Sequence, residues 1–400
     1  MNYRQLPTGE NLSQLAYGIM RMPVTDTGAK SEDIDYATAE KLIDAAVANG
    51  INYFDTAWPY HDGQSESFLG EALVARYPRE NFYLATKLPV WEIDSPAQAD
   101  EVFAKQQTKL QTDHFDFYLM HALDGARLDK MLAAGIIDWA REKQASGAIT
   151  RLGFSFHGTI EDMERIIEAH SWDFSMLQLN YMDWEMQKAG QAYQLLTEAG
   201  IPVFAMEPVR GGKLAELPPA ATEILQTVWP ERSSASWGFR YVASLPNVYA
   251  ILSGMTTAAQ MKDNLATFSL PADQIPLTSR EREVLDKALE ASNLAAAIPC
   301  TNCNYCMPCP FDVEIPRVLS AYNALKMGGT AFGYLNSIKV LGDQGTADNC
   351  VDCGECEPQC PQHIAIPREM ERIAAETETL QTEEDFLEAR AATIAQRESK

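Results

Sequence analysis

The 400-residue sequence predicts an α/β protein in two parts: a (β/α)8 barrel, then a small, mainly helical, cysteine-rich module. Three observations carry that prediction. Short apolar runs rich in Tyr, Phe, Val and Ile recur eight times in the first 290 residues, with amphipathic helical segments between them. No G-x-G-x-x-G loop follows any of these runs, which argues against an open, doubly wound sheet. All 8 cysteines fall after residue 299, in two clusters.

The expected strands are Leu15–Ile19, Tyr53–Ala57, Tyr83–Leu88, Phe117–Ala122, Arg151–Phe156, Ser175–Tyr181, Val203–Val209 and Tyr249–Gly254. Tyr36–Gly50, Ser65–Arg76, Thr159–His170 and Thr256–Phe268 read as helices. Thr159 with Asp162 three residues on is close to the pairing that caps a helix start. Strands alternating with helices imply parallel pairing through right-handed crossovers. Eight such units close into a TIM barrel, whose site lies at the C-terminal ends of the strands. The boundaries follow: a barrel over 1–270, a connection over 271–297, the cysteine module over 298–370 and an acidic helical tail over 371–400.

Composition narrows the function. An apolar content of 46% supports a large core, and a net charge of −24 repels nucleic acid and anionic membrane surfaces. No apolar run reaches the roughly 18 residues that span a bilayer. The N-terminal segment lacks the basic and apolar regions of a secretory signal, so a cytoplasmic setting with reduced thiols is expected. That setting argues against disulfides.

The cysteine spacing is Cys300-x2-Cys303-x2-Cys306-x2-Cys309-Pro310 and Cys350-x2-Cys353-x2-Cys356-x3-Cys360-Pro361. The second run has the bacterial ferredoxin spacing: three thiolates hold three corners of one [4Fe–4S] cube, and the Cys before Pro serves the other cube. Zinc knuckles offer two cysteines each, not three or four ending in Cys-Pro. Two [4Fe–4S] clusters are therefore expected. Cys309–Pro316 is echoed by Cys360–Pro367, a repeat suited to a two-cluster module. The chain between them allows two helices broken at Gly328-Gly329, and so resembles helical ferredoxin modules more than compact β-hairpin ones. One residue fewer before Cys309 is a departure that bears on its role as a ligand.

At the expected strand ends stand Asp55, Lys87 and His121, with Tyr60 in the loop after Asp55. Together they form a proton-transfer device. A phenol titrates near pH 10, and an adjacent ammonium lowers that by roughly one to three units. Lys87 would supply the charge, Asp55 would hold Lys87, Tyr60 would act as general acid, and His121 would bond a carbonyl oxygen.

These residues lie in segments that resemble the aldo-keto reductase family: Gly50–Ala57 with Tyr60, Ser65-Glu66-x2-Leu69-Gly70, Ala85–Lys87, and Leu110-x2-Asp113-x2-Asp116-x-Tyr118-x2-His121. Gly153-x-Ser155, Gln178, Glu207-Pro208-x2-Gly211-Gly212, Ser253-Gly254 and Asn264 continue the match. The resemblance implies NAD(P)H held without a Rossmann domain, hydride exchange with a small carbonyl or alcohol substrate, and Ser155 and Gln178 on the nicotinamide carboxamide. Met206 stands where the family usually stacks an aromatic on the ring. Gly254 and Gln260 replace the Lys and Arg that grip the 2′-phosphate of NADPH in many members, so NADH is expected to serve at least comparably. The whole chain resembles members with a C-terminal 4Fe–4S ferredoxin-type module. The alternative is an electron-transfer or oxygen-responsive protein whose barrel is a scaffold, with a redox partner protein taking single electrons.

Overall fold

The computed structural model describes residues 1–25, 33–292, 297–327 and 330–381. The expected break at Gly328-Gly329, part of the connection (293–296) and the tail beyond 381 lie outside them. The chain forms two compact units: Met1–Glu216 with Trp229–Glu283, and Leu217–Val228 with the chain from Val284.

The first unit is built on a closed parallel barrel. Its strands are β3 (Leu15–Gly18), β4 (Tyr53–Asp55), β5 (Tyr83–Leu88), β6 (Phe115–Leu123), β7 (Ile149–Phe156), β8 (Phe174–Gln178), β9 (Val203–Met206) and β10 (Val248–Ser253). They pair in chain order, and β10 closes onto β3. An antiparallel hairpin, β1 (Tyr3–Gln5) with β2 (Asn11–Ser13), precedes them. It has no counterpart among the expected strands, because three-residue strands are too short to show a period.

Several expected strands run past the observed ladder. β4, β8 and β9 end at Asp55, Gln178 and Met206, while the apolar sequence continues. Thr56, Ala57, Leu179 and Asn180 stay fully buried after the pairing stops, so the pattern there reports burial in the mouth and not a strand. The expected helix Ser65–Arg76 is α-helical only to Leu69, then a π-turn over Gly70–Val74. A Cβ on Gly70 would lie 2.2 Å from the Lys109 carbonyl, so this helix passes against a neighbouring backbone that only glycine admits.

Inward and outward positions alternate along each strand. Tyr53, Ala85, Phe117, Leu119, Phe174, Met176 and Phe204 fill the interior with Leu6 and Leu12 of the hairpin. The rings interlock, with centroids 5.2 Å apart for Tyr53–Phe117, 5.2 Å for Tyr53–Phe204 and 4.8 Å for Phe174–Phe204. Truncating one such ring to alanine costs about 3–5 kcal/mol. On five of the strands the next position of the same parity lies at or near the C-terminal end: Asp55 after Tyr53, Lys87 after Ala85, His121 after Leu119, Gln178 after Met176 and Met206 after Phe204. Helices cover the outside. One of them starts at Thr159 with the expected pairing, a full capping box with Asp162.

The second unit's elements are helical among its described residues, and include Pro219–Gln226, Ile315–Lys326 and Ala331–Lys339. Val313, Ile315, Val318, Leu319, Tyr322, Ile366, Met370 and Ile373 form its apolar centre. Each Cys-Pro segment leads directly into a helix, at Ile315 and at 366, so the repeat in sequence is a repeat in structure.

Candidate active site

Lys87 is the centre of the barrel mouth. Its ammonium donates to Asp55 Oδ1 at 2.5 Å, to the Thr56 carbonyl at 2.8 Å and to Tyr60 Oη at 3.3 Å. The Lys87 and Asp55 side chains are 1% and 3% exposed. Burial pushes the ammonium below its ordinary range, against the pull of Asp55. Burial likewise pushes the Asp55 carboxyl up, against Lys87.

Behind Lys87 lies a second buried layer. Glu66 Oε1 accepts from Thr86 Oγ1 at 2.7 Å and from Gln106 Nε2 at 2.8 Å, and Gln106 also donates to the Lys87 carbonyl at 2.9 Å. Tyr118 Oη in turn donates to Gln106 Oε1 at 2.7 Å. Glu66 stands in the sequence only as part of a motif, and Gln106 is an amide inside a helix. No local pattern shows that they meet.

His121 is aimed by an irregularity. The β6–β7 register shifts between Met120 and Leu123, and Ala122 takes a left-handed φ of 53°. Such a bulge re-aims the side chain beside it. The Ala122 N–H donates to Ser155 Oγ at 2.7 Å, which ties the bulge to β7. The imidazole lies edge-on to the Tyr60 ring, 6.0 Å between centroids, and 5.1 Å from the Trp91 ring. Burial holds it well below the usual histidine range, reinforced by Lys87, His157 and Arg127. At neutral pH it is therefore a neutral N–H donor.

A carboxylate, an ammonium, a phenol and a neutral imidazole thus converge at the C-terminal end of one barrel. Residues 14–279 match the Aldo/keto reductase family. The chain belongs to that family. Residues 299–365 match the 4Fe-4S dicluster domain. An uncharacterised oxidoreductase of Bacillus subtilis, YqkF, is 26% identical over 296 residues, covering 66% of this chain and 90% of its own. The methylglyoxal reductase YeaE of Escherichia coli is 27% identical over 256 residues, covering 62% and 83%. Among solved structures, the aldo-keto reductase AKR11C1 from Bacillus halodurans in its holo form superposes with a TM-score of 0.60 at 25% identity, covering 72% of this chain and 96% of that one.

In this aldo-keto reductase the residues expected around the cofactor stand near, at or beyond the C-terminal ends of β7 to β10. Ser155, having accepted from Ala122, keeps its own proton to donate. Gln178 Nε2 donates to Asp183 Oδ2 at 2.8 Å, and Asp183 is also within 3.1 Å of Arg210, both wholly buried. Met206 ends β9. Asn264 Nδ2 donates to Ser253 Oγ at 2.9 Å. Gln260 Oε1 accepts from Thr256 N–H at 2.8 Å and Thr257 N–H at 3.1 Å, so its side chain closes a helix cap. Gly254 is not without a cation nearby: a Cβ there would lie 3.1 Å from the Arg21 stem, and the Arg21 guanidinium pairs with Glu207 at 3.0 Å. No local pattern signals this contact, because Arg21 follows β3 and Gly254 follows β10, at opposite ends of the barrel's sequence.

The cysteines divide into two quartets. Cys300, Cys303, Cys306 and Cys360 line one cavity, and Cys309, Cys350, Cys353 and Cys356 line another, to which Cys306 is also adjacent. The thiol of Cys306 feels Cys303, Cys300 and Cys360, whereas Cys356 feels Cys350, Cys353 and Cys309. Despite its short spacing, Cys309 stands with the other trio. Among the described residues no three His, Cys, Asp or Glu side chains converge as a single metal ion requires. The donor set, soft thiols grouped in fours, fits iron–sulfur clusters better than mononuclear zinc.

Proposed function

We propose that the barrel interconverts a small aldehyde or ketone and its alcohol with NAD(P)H, with Tyr60 as general acid. The observation that carries this reading is the contact of the Lys87 ammonium with both Asp55 and Tyr60 Oη. A positive charge 3.3 Å from the phenol oxygen favours the phenolate and so eases release of the proton. The neutral His121 donates to the carbonyl oxygen as negative charge gathers there. Tyr60 then delivers its proton to that oxygen, and solvent restores the phenol. The nicotinamide, when bound, supplies the hydride to the carbonyl carbon. Ser155 and Gln178 would hold its carboxamide and Met206 would cover its ring, with Ser253, Gly254, Gln260 and Asn264 beside the rest.

In the second unit each cysteine quartet would hold one [4Fe–4S] cluster, a one-electron carrier. Exposure of Cys353, with Val351 and Phe311 also exposed beside the same cavity, favours a second reading in which this unit exchanges electrons with a redox partner. No described helix is long and apolar enough to cross a membrane.

Tyr60→Phe tests the first reading. Carbonyl reduction with either nicotinamide should fall by roughly two to four orders of magnitude while nicotinamide binding is nearly kept. A kcat within about threefold of the parent refutes the assignment. Loss of carbonyl turnover in the parent itself, with clusters still reducible, would favour the second reading.

A further inference from the structure

Arg127 has one side of its guanidinium committed and the other open. It sits in the first turn of the helix Gly125–Ala133, whose N-cap is Asp124. Arg127 Nη1 donates to the carbonyl of Ala122, the residue after His121, at 2.7 Å, and lies 3.2 Å from Asp124 Oδ2. The guanidinium carbon stands 5.8 Å from the Trp91 ring centroid, and Trp91 is the ring that packs on His121. Lys130, one turn further along the same helix, donates to the Trp91 carbonyl at 2.9 Å and pins that turn in place. The Arg127 side chain is 21% exposed, and its Nε and Nη2 have no protein partner among the described residues. His157, whose backbone N–H donates to the Leu123 carbonyl at 3.0 Å, ends the same bulged segment on the β7 side.

An Nε/Nη2 edge is the planar fork that matches a carboxylate with two parallel hydrogen bonds. We infer that Arg127, with His157, forms an anion subsite beside His121, and that the preferred substrates are carbonyl compounds carrying a carboxylate. The inference rests on the carbonyl chemistry proposed above and adds the substrate class. Surface charge makes the placement pointed. The chain carries a net −24, yet the cations Lys87 and Arg127 both act on buried His121. An anionic substrate repelled by the general surface would find its favourable potential at the mouth.

Succinic semialdehyde and its methyl ester test the subsite, because they differ only in the carboxylate. The parent should favour the acid in kcat/KM, and Arg127→Met should cost the acid at least about tenfold more than the ester, through KM more than kcat. Arg127→Lys should recover part of that difference, since it restores charge without the fork. Equal losses for acid and ester, or no preference for the acid in the parent, overturn the inference. Dihydroxyacetone phosphate against dihydroxyacetone gives the phosphate arm. A larger Arg127-dependent discrimination there overturns the carboxylate assignment. If the parent reduces none of these compounds, the carbonyl chemistry fails and calorimetric titration with succinate decides the subsite alone. Binding lost in Arg127→Met supports it; equal binding in both proteins overturns it.

Discussion

The barrel and the cysteine module hold their functional groups in opposite ways. In the barrel, Asp55, Lys87 and His121 stand at or near the C-terminal ends of three different strands, and protein atoms alone fix them: Lys87 is bonded to Asp55, Thr56 and Tyr60, over an interior of interlocked rings. In the module, the eight cysteines come from two short loop segments and face two cavities, with an apolar cluster of a few helical side chains behind them. A site of the first kind is set by the fold and exists before any ligand arrives. A site of the second kind gains much of its order from what it binds, because metal binding and folding are linked.

That contrast breaks if damage to one site spreads to the other. The largest expected effect is in the barrel. Lys87→Met leaves the phenol without its charge and Asp55 buried without a partner, so carbonyl turnover should fall by roughly two to four orders of magnitude. Iron content measured on the same protein should be unchanged; a loss of iron would show that the two sites are not independent.

The next effect is in the module. Anaerobically prepared parent protein should carry about eight iron atoms, and Cys309→Ala should lower that to about four, with the visible absorption roughly halved. Barrel turnover should persist. Unchanged iron in Cys309→Ala would remove Cys309 from the ligand set, and stoichiometric zinc in a colourless parent would remove the clusters altogether.

A smaller effect sharpens the cost of the barrel's dry site. His121 is buried and its folded-state pKa lies well below 6.5, whereas the unfolded chain takes up the proton near that value. Between the two the unfolded state binds more protons, so stability is lost as pH falls below about 6.5. Urea midpoints at pH 7.5 and 5.5 should show His121→Asn losing roughly 1 kcal/mol less than the parent over that interval. An identical loss would mean that the imidazole is charged in the folded barrel. The smallest effect is at the helix cap after β10. Gln260→Ala should cost about 1 kcal/mol or less, a drop of a few degrees in Tm. A fall in nicotinamide affinity without that drop would place Gln260 on the cofactor and not on the helix.

The positions of Asp55, Lys87 and His121 were legible because a strand's period of two is a local property. Once the inward residues are known, the last of them must face the mouth. The cysteine spacing was legible for a similar reason, since a cube's corners are reached by thiolates separated by two intervening residues on one loop. Which atoms actually meet was decided by closure of the barrel, which sets the stagger between strands. Only then does the Lys87 ammonium come within 3.3 Å of Tyr60 Oη, does Gln106 link Glu66 to the Lys87 carbonyl, and does Arg21 after β3 lie against Gly254 after β10. Likewise Cys309 joins Cys350, Cys353 and Cys356 across 40 intervening residues through packing of the module's helices, which no spacing rule encodes.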